Sequence, residues 1–339
     1  MARTALVISG GGSKGAFAVG ALKYLIGELG LSFDVVAGTS TGALIAPLIV
    51  ARGRDALPTL EKEYTTVGTR DILSGLPAVR VVTGKPSLYD SDPLERRIDK
   101  HITDDVFRTL RDSPRQLAVT TVDLRDGKLV YYQTGPRIQT DELVEQVTSR
   151  EQLARAVHAS ASIPVAMPPV VNARAGHPDD GYVDGGVREY VPIEIAIDAG
   201  ATDICCIILA PPFEKRPLYT RRFGSVVDVL QRSVDLLTEE VGASDVKLSE
   251  LYTRGRVYLD RARTVLAQEG VGDEVLRRAF DESGVPNPFA NKVAVALRII
   301  RPPEMLRGDT LKFDPEDMRW NLEFGYRCAK EQWPGTPSV

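Results

Sequence analysis

The sequence predicts an α/β fold on a mostly parallel sheet, followed by a largely helical C-terminal region. Three observations carry that reading. Residues 4–8 form a short β-rich run that ends in glycines and opens into a helix-patterned stretch. Residues 33–37 form a second such run, ending in the turn Gly38-Thr39-Ser40-Thr41-Gly42 before an apolar helix. Residues 181–210 read as a further strand-turn-helix-strand unit. Strands alternating with helices give parallel sheets with right-handed crossovers and helices on the faces.

Taken in order, Ala16 to Leu29 carries Phe17, Leu22, Leu25, Ile26 and Leu29 at helical spacing and stops at Gly30. The helix from about Thr41 to Ala51 contains Pro47, which removes a backbone bond and predicts a kink. Residues 53–114 read as mostly helical and polar, interrupted by Gly75, Pro77, Gly84 and Pro86, with Asp92-Pro93 opening the clearest helix, to Ile102. Gln116–Leu124 and Lys128–Gln133 are strands joined by an Asp126-Gly127 hairpin turn. Glu151–Ser160 is a helix that ends at a proline-rich loop.

Farther on, Gly181–Val187 is a strand end running into glycines, Pro192–Ala199 a helix and Asp203–Ala210 a strand. Phe223, Val226, Val227, Leu230, Val234, Leu237 and Val241 mark a long amphipathic helix. Residues 243–283 continue helical and charged, Lys292–Ile300 is a strand, and Asp314-Pro315-Glu316 opens the last helix. The chain divides into an α/β region, 1–212, and a C-terminal helical region, 213–339, whose 292–300 strand is free to complete the same sheet.

Composition excludes several classes. A hydrophobic share of 43% supports a buried core, and a net charge of −4 gives no nucleic-acid footprint. No run approaches the ~18 apolar residues of a membrane span, and Leu6-Val7-Ile8 is too short for a signal-peptide core. The cytoplasm is therefore the expected compartment, with leaderless secretion left open. Of three cysteines, Cys205 and Cys206 fall in a strand and form no disulfide or redox motif.

Gly38-x-Ser40-x-Gly42 has the spacing of a nucleophile elbow, a strained strand-to-helix turn that raises one hydroxyl above the sheet. Gly10-x-Gly12-x-x-Gly15 also fits a dinucleotide fingerprint, but the acid which that motif needs at the end of the second strand is missing; Asp34 stands at its start. A phosphate-binding loop would need Lys-Ser or Lys-Thr where Ala16 follows Gly15. A third reading places the two glycine turns side by side, with backbone N–H groups facing Ser40 as an oxyanion hole and Lys14 adding positive potential. All three histidines precede residue 178, whereas a common hydrolase triad places its histidine last. His101 reads as solvated, His158 as structural and His177 as exposed. Asp184, at a strand end before Gly185-Gly186, is the better candidate base.

Gly10-Gly11-Gly12-Ser13-Lys14-Gly15, Gly38-Thr39-Ser40-Thr41-Gly42 and Asp184-Gly185-Gly186, in this order, resemble the patatin-like phospholipases. Ala159-Ser160-Ala161-Ser162-Ile163-Pro164 and Tyr89-Asp90 leading into Leu94 add to the likeness, which covers residues 4–210. The resemblance implies a three-layer α/β/α fold and hydrolysis of fatty-acyl esters without metal or cofactor. It implies Ser40 as nucleophile, Asp184 as proton acceptor and Gly10, Gly11, Gly12, Ser13, Lys14 and Gly15 as the oxyanion loop. The expected partner is a lipid, met in transient contact with a membrane surface. Asp-Gly-Gly replaces the frequent Asp-Gly-Ala, and Thr41 a frequent alanine; both are small changes. Two other readings stay open: a nucleotide-binding protein using the Gly10–Gly15 loop, and a lid-closed or activator-dependent lipid-binding protein.

Overall fold

A computed structural model describes residues 3–174, 176–216, 224, 226–280, 289 and 293–333. Phe223 and Lys292, both assigned above to elements, lie outside the described residues, as do Ala175 and residues 281–283. The strands are β1 (Thr4–Ile8), β2 (Val35–Gly38), β3 (Gln116–Asp123), β4 (Leu129–Thr134), β5 (Leu143–Gln146), β6 (Tyr182–Asp184), β7 (Asp203–Ile207) and β8 (Ala296–Ile300). The helices are α1 (Gly15–Leu22, continued by a π-helical stretch Lys23–Glu28), α2 (Thr41–Arg52), α3 (Leu57–Thr66), α4 (Pro77–Val82), α5 (Asp92–His101) and α6 (Asp104–Asp112). They continue with α7 (Arg150–Ser160), α8 (Ile193–Asp198), α9 (Val226–Gln268), α10 (Asp273–Phe280) and α11 (Pro315–Gln332).

One sheet has the order β5-β4-β3-β2-β1-β7-β8, with β6 paired to β3 off that path. Every pairing from β3 through β8 along the path is parallel, and β4 meets β3 antiparallel across the Asp126-Gly127 turn. Alternation on β1 shows why the sheet is layered: Leu6 and Ile8 enter one core and Ala5 and Val7 the other. A sheet buried on both faces needs such continuously apolar strands. The first core is covered by α1, α2, α3, α5, α6, α7 and α11, the second by α8 and α9, whose Val246 packs there. Phe17 on α1 meets Phe324 on α11 edge-on at 6.1 Å. α2 is continuous through Pro47.

One expectation changes. β6 is not the first strand of another parallel unit. It runs antiparallel to β3, pairing Asp184 with Thr121, because its three residues turn away where Gly185 lies against the Thr120 backbone. Ala296–Ile300 extends the sheet beside β7, so the C-terminal region contributes an edge strand as well as helices.

Register brings the site together. Ile8 pairs with Gly38 and also with Ile207, so the loops after β1, β2 and β7 leave the sheet at one carboxyl edge. Gly38 pairs with Val119, two residues before Thr121, which places Asp184 at that edge too.

Candidate active site

Ser40 joins β2 to α2 with φ 57° and ψ −119°, a conformation L-residues rarely adopt. The flanking glycines permit it by close approach. A Cβ on Gly38 would strike the Gly42 backbone, and one on Gly42 the Ile8 carbonyl. The Ser40 N–H donates to Ser160 Oγ at 3.0 Å, and its carbonyl accepts Ala43 N–H at 2.9 Å, fastening the turn to α7 and α2. Below it Thr39 and Thr120 share a hydroxyl hydrogen bond of 2.5 Å.

Asp184 reaches the same point from β6. Its N–H donates to the Ser162 carbonyl at 3.0 Å, so the segment after α7 holds Ser40 through Ser160 and Asp184 through Ser162. The carboxylate accepts the Gly186 N–H at 2.8 Å. Burial pushes this carboxyl up to about 7, against the pull of that N–H and of the neighbouring Ser40 side chain. Ser40 and Asp184 are both buried, and burial holds the Asp184 carboxyl well above the usual carboxylate range.

The Gly10–Gly15 loop crosses in front of the α2 N-terminus, and most of its amides are already engaged. Gly10 N–H donates to the Tyr190 carbonyl, Ser13 to Thr310, Lys14 to Gly11, and Gly15 to Gly12 and Ser13. The N–H groups of Gly11, Gly12 and Thr41 meet no acceptor among the described residues. Gly12 has φ +57° and a Cβ there would strike the Thr310 carbonyl, which ties this loop to the C-terminal region. The acid a dinucleotide would need is absent: Asp34 sits at the amino end of β2, accepting Thr4 N–H at 2.9 Å, across the sheet from the glycine loop.

The histidines are elsewhere. His158 is buried, bonded to Ser91 at 2.9 Å and pulled down to about 4 by burial. His177 pairs with Asp180 at 3.1 Å. His101 departs from its solvated reading: its side chain is 18% exposed and Nε2 lies 3.0 Å from Glu63 Oε1, because the Glu63 side chain reaches from α3 to α5.

Ser40 lines two cavities. One is walled by apolar side chains such as Leu44, Leu48, Leu60, Ile98 and Met167. The other has a mixed lining whose polar members include Lys14, Asp184, Tyr190, Asp235 and Asp309. α9 forms one side of this second chamber and is anchored by Asp245, which accepts the N–H groups of Tyr190 and Val191 at 2.8 Å each. Reasoning from sequence missed Ser160, Ser162, Tyr190 and Thr310. The Ala159–Pro164 stretch was marked only by resemblance, and Thr310 carries no pattern at all.

The family model described as patatin-like phospholipase matches residues 6–197. The uncharacterized protein YqhO of Bacillus subtilis is 26% identical over 288 residues, 77% of this chain and 96% of that protein. Patatin-like phospholipase domain-containing protein 6 of Homo sapiens is 28% identical over 204 residues, 60% of this chain but 13% of the relative. Neuropathy target esterase sws of Drosophila melanogaster is 28% identical over 203 residues, again 60% of this chain and 12% of the relative. Among solved structures, VipD from Legionella pneumophila aligns at a TM-score of 0.45 and 14% identity, covering 98% of this chain and 66% of that one.

Proposed function

The chain belongs to the patatin-like phospholipase family, and we propose that it is a serine lipid acyl hydrolase working through Ser40 and Asp184. The observation that supports this reading is the position of Ser40, beside a buried carboxyl and on the lining of both an apolar and a polar cavity. An amphiphilic ester fits that arrangement, with its acyl chain in the apolar cavity and its alcohol side in the polar chamber.

Asp184 accepts the Ser40 proton as Oγ attacks the acyl carbonyl. The developing oxyanion takes the uncommitted N–H groups of Gly11 and Gly12, with Thr41 at the helix N-terminus behind Ser40. Asp184 passes the proton to the leaving alcohol, then draws one from the water that releases the fatty acid. An aspartate at 3.8 is a weak base for a hydroxyl; at about 7 it is matched to neutral pH. The scheme uses protein groups alone. We propose that the lipid is met at a membrane surface; among the described residues no helix is long and apolar enough to cross a membrane. We assign residues 213–339 a supporting role, because they supply β8, the wall of the polar chamber and the Thr310 contact.

Incubation with a mixed lipid extract tests this. Specific acyl esters should disappear with the wild type and persist with Ser40→Ala; equal loss with both proteins refutes the assignment.

A further inference from the structure

The apolar cavity has a charged end, and its depth follows from the helices around it. α7 finishes at the nucleophile, where Ser160 holds the Ser40 N–H. α5 runs antiparallel beside it: Ser91, at its start, bonds His158, and the Ile102 carbonyl, past its end, accepts from Arg150 at 3.2 Å. α5 therefore begins level with Ser40 and descends away from it. At ~1.5 Å per residue, Arg97 and His101 lie about 9 and about 15 Å below Ser91. On α2, Leu44 and Leu48 face the same cavity about one and two turns below Ser40.

The ionisable side chains of Glu63, Arg97 and His101 stand on this lining, and they form one polar cluster. Arg97 NH1 lies 2.5 Å from Glu63 Oε2, His101 Nε2 lies 3.0 Å from Glu63 Oε1, and Arg97 Nε donates to the Asp71 carbonyl at 3.1 Å. The hydrogen bond from His101 and the nearby Arg97 and Lys100 hold the Glu63 carboxyl down to about 2 despite partial burial, so it stays charged. A methyl group driven into such a cluster strips water from charges, and parting the cluster leaves a half-buried charge without its partner. An extended alkyl chain advances ~1.25 Å per methylene for C–C bonds near 1.5 Å, so this depth seats roughly seven to twelve carbons.

We infer that the Glu63–Arg97–His101 cluster is the floor of the acyl pocket and restricts the enzyme to medium-chain acyl esters. The inference rests on the acyl-hydrolase reading above, and it assigns these residues to chain-length selection, not to bond cleavage.

The test compares p-nitrophenyl esters from C4 to C18 on the wild type, on the double variant Glu63→Ala/His101→Ala, and on His101→Gln, which keeps a donor for Glu63. Wild-type kcat/KM should fall at least tenfold between the C12 and C16 esters. The double variant should raise the C16-to-C10 ratio by roughly tenfold, the scale of one or more newly accommodated methylenes, and His101→Gln should keep the wild-type profile. Binding of methyl decanoate and methyl palmitate to the Ser40→Ala protein, read by displacement of a fluorescent fatty ester, gives a measurement that survives misfolding of the double variant; decanoate should bind more tightly. Equal wild-type cleavage of C10 and C16, or palmitate binding at least as tight as decanoate, overturns the floor while leaving the hydrolase reading intact. Length-selective binding with no cleavage of any ester has the opposite effect: it supports the floor and defeats the hydrolase.

Discussion

Replacing Asp184 with asparagine should abolish turnover and, above neutral pH, make the protein more stable. The fold raises this carboxyl from 3.8 to about 7, chiefly by burying it. In the folded chain it thus holds a proton that the unfolded chain has already released. Below about pH 3.8 both states are protonated and no penalty arises. As pH rises toward about 7, wild-type stability falls, and above that the whole penalty is present. At ~1.36 kcal/mol per pH unit, the gap of roughly 3 units is worth about 4 kcal/mol. Asparagine cannot ionise, and its amide oxygen can still accept the Gly186 N–H. Urea unfolding of both proteins from pH 4 to 9 isolates the term, because other titrations cancel in the difference. The advantage of the variant should grow by about 4 kcal/mol between pH 4 and pH 8, on top of any constant offset. A difference that stays flat with pH refutes the idea that a buried, ionising Asp184 carries this strain.

Three further outcomes follow from the same geometry. The acid limb of the wild-type kcat/KM profile should be governed by a group near pH 7, rate rising as Asp184 loses its proton; a limb near pH 4 contradicts the burial argument. Ser160→Ala leaves the buried Ser40 N–H without its acceptor, so denaturant titration should show a loss of about 1–3 kcal/mol, accompanied by a fall in kcat with little change in KM. Gly42→Ala forces a methyl group onto the Ile8 carbonyl at the elbow; calorimetry should show a melting temperature several degrees lower, as for an overpacked core.

The parts of this site that announce themselves in the sequence are those where backbone conformation demands a residue type. Gly38 and Gly42 around Ser40, the Gly10–Gly15 loop, and Asp184 before two glycines are visible because helices and strands must approach closely there. Strand runs with continuous apolar character, such as β1 and β7, are equally plain. What stayed hidden depends on long-range partners. β5 is half-exposed and mixed in polarity, and its pairing with β4 is a matter of register. β6 has too few residues to declare its direction. Helical periodicity shows which face of α5 is buried around Leu94 and Ile98. It does not show that Glu63, 38 residues away, turns His101 from a solvated side chain into part of a cavity wall. Ser160 and Ser162 look like ordinary helix-end serines until the fold sets one against Ser40 and the other against Asp184.

The most direct test of the central claim is intact-mass and peptide analysis after exposure to a lipid-like fluorophosphonate. A single adduct should form on the wild type, map to Ser40, be absent from Ser40→Ala, and form far more slowly on Asp184→Asn. An adduct of equal yield on Ser40→Ala, or one mapped to another serine, contradicts the assignment of Ser40 as the nucleophile.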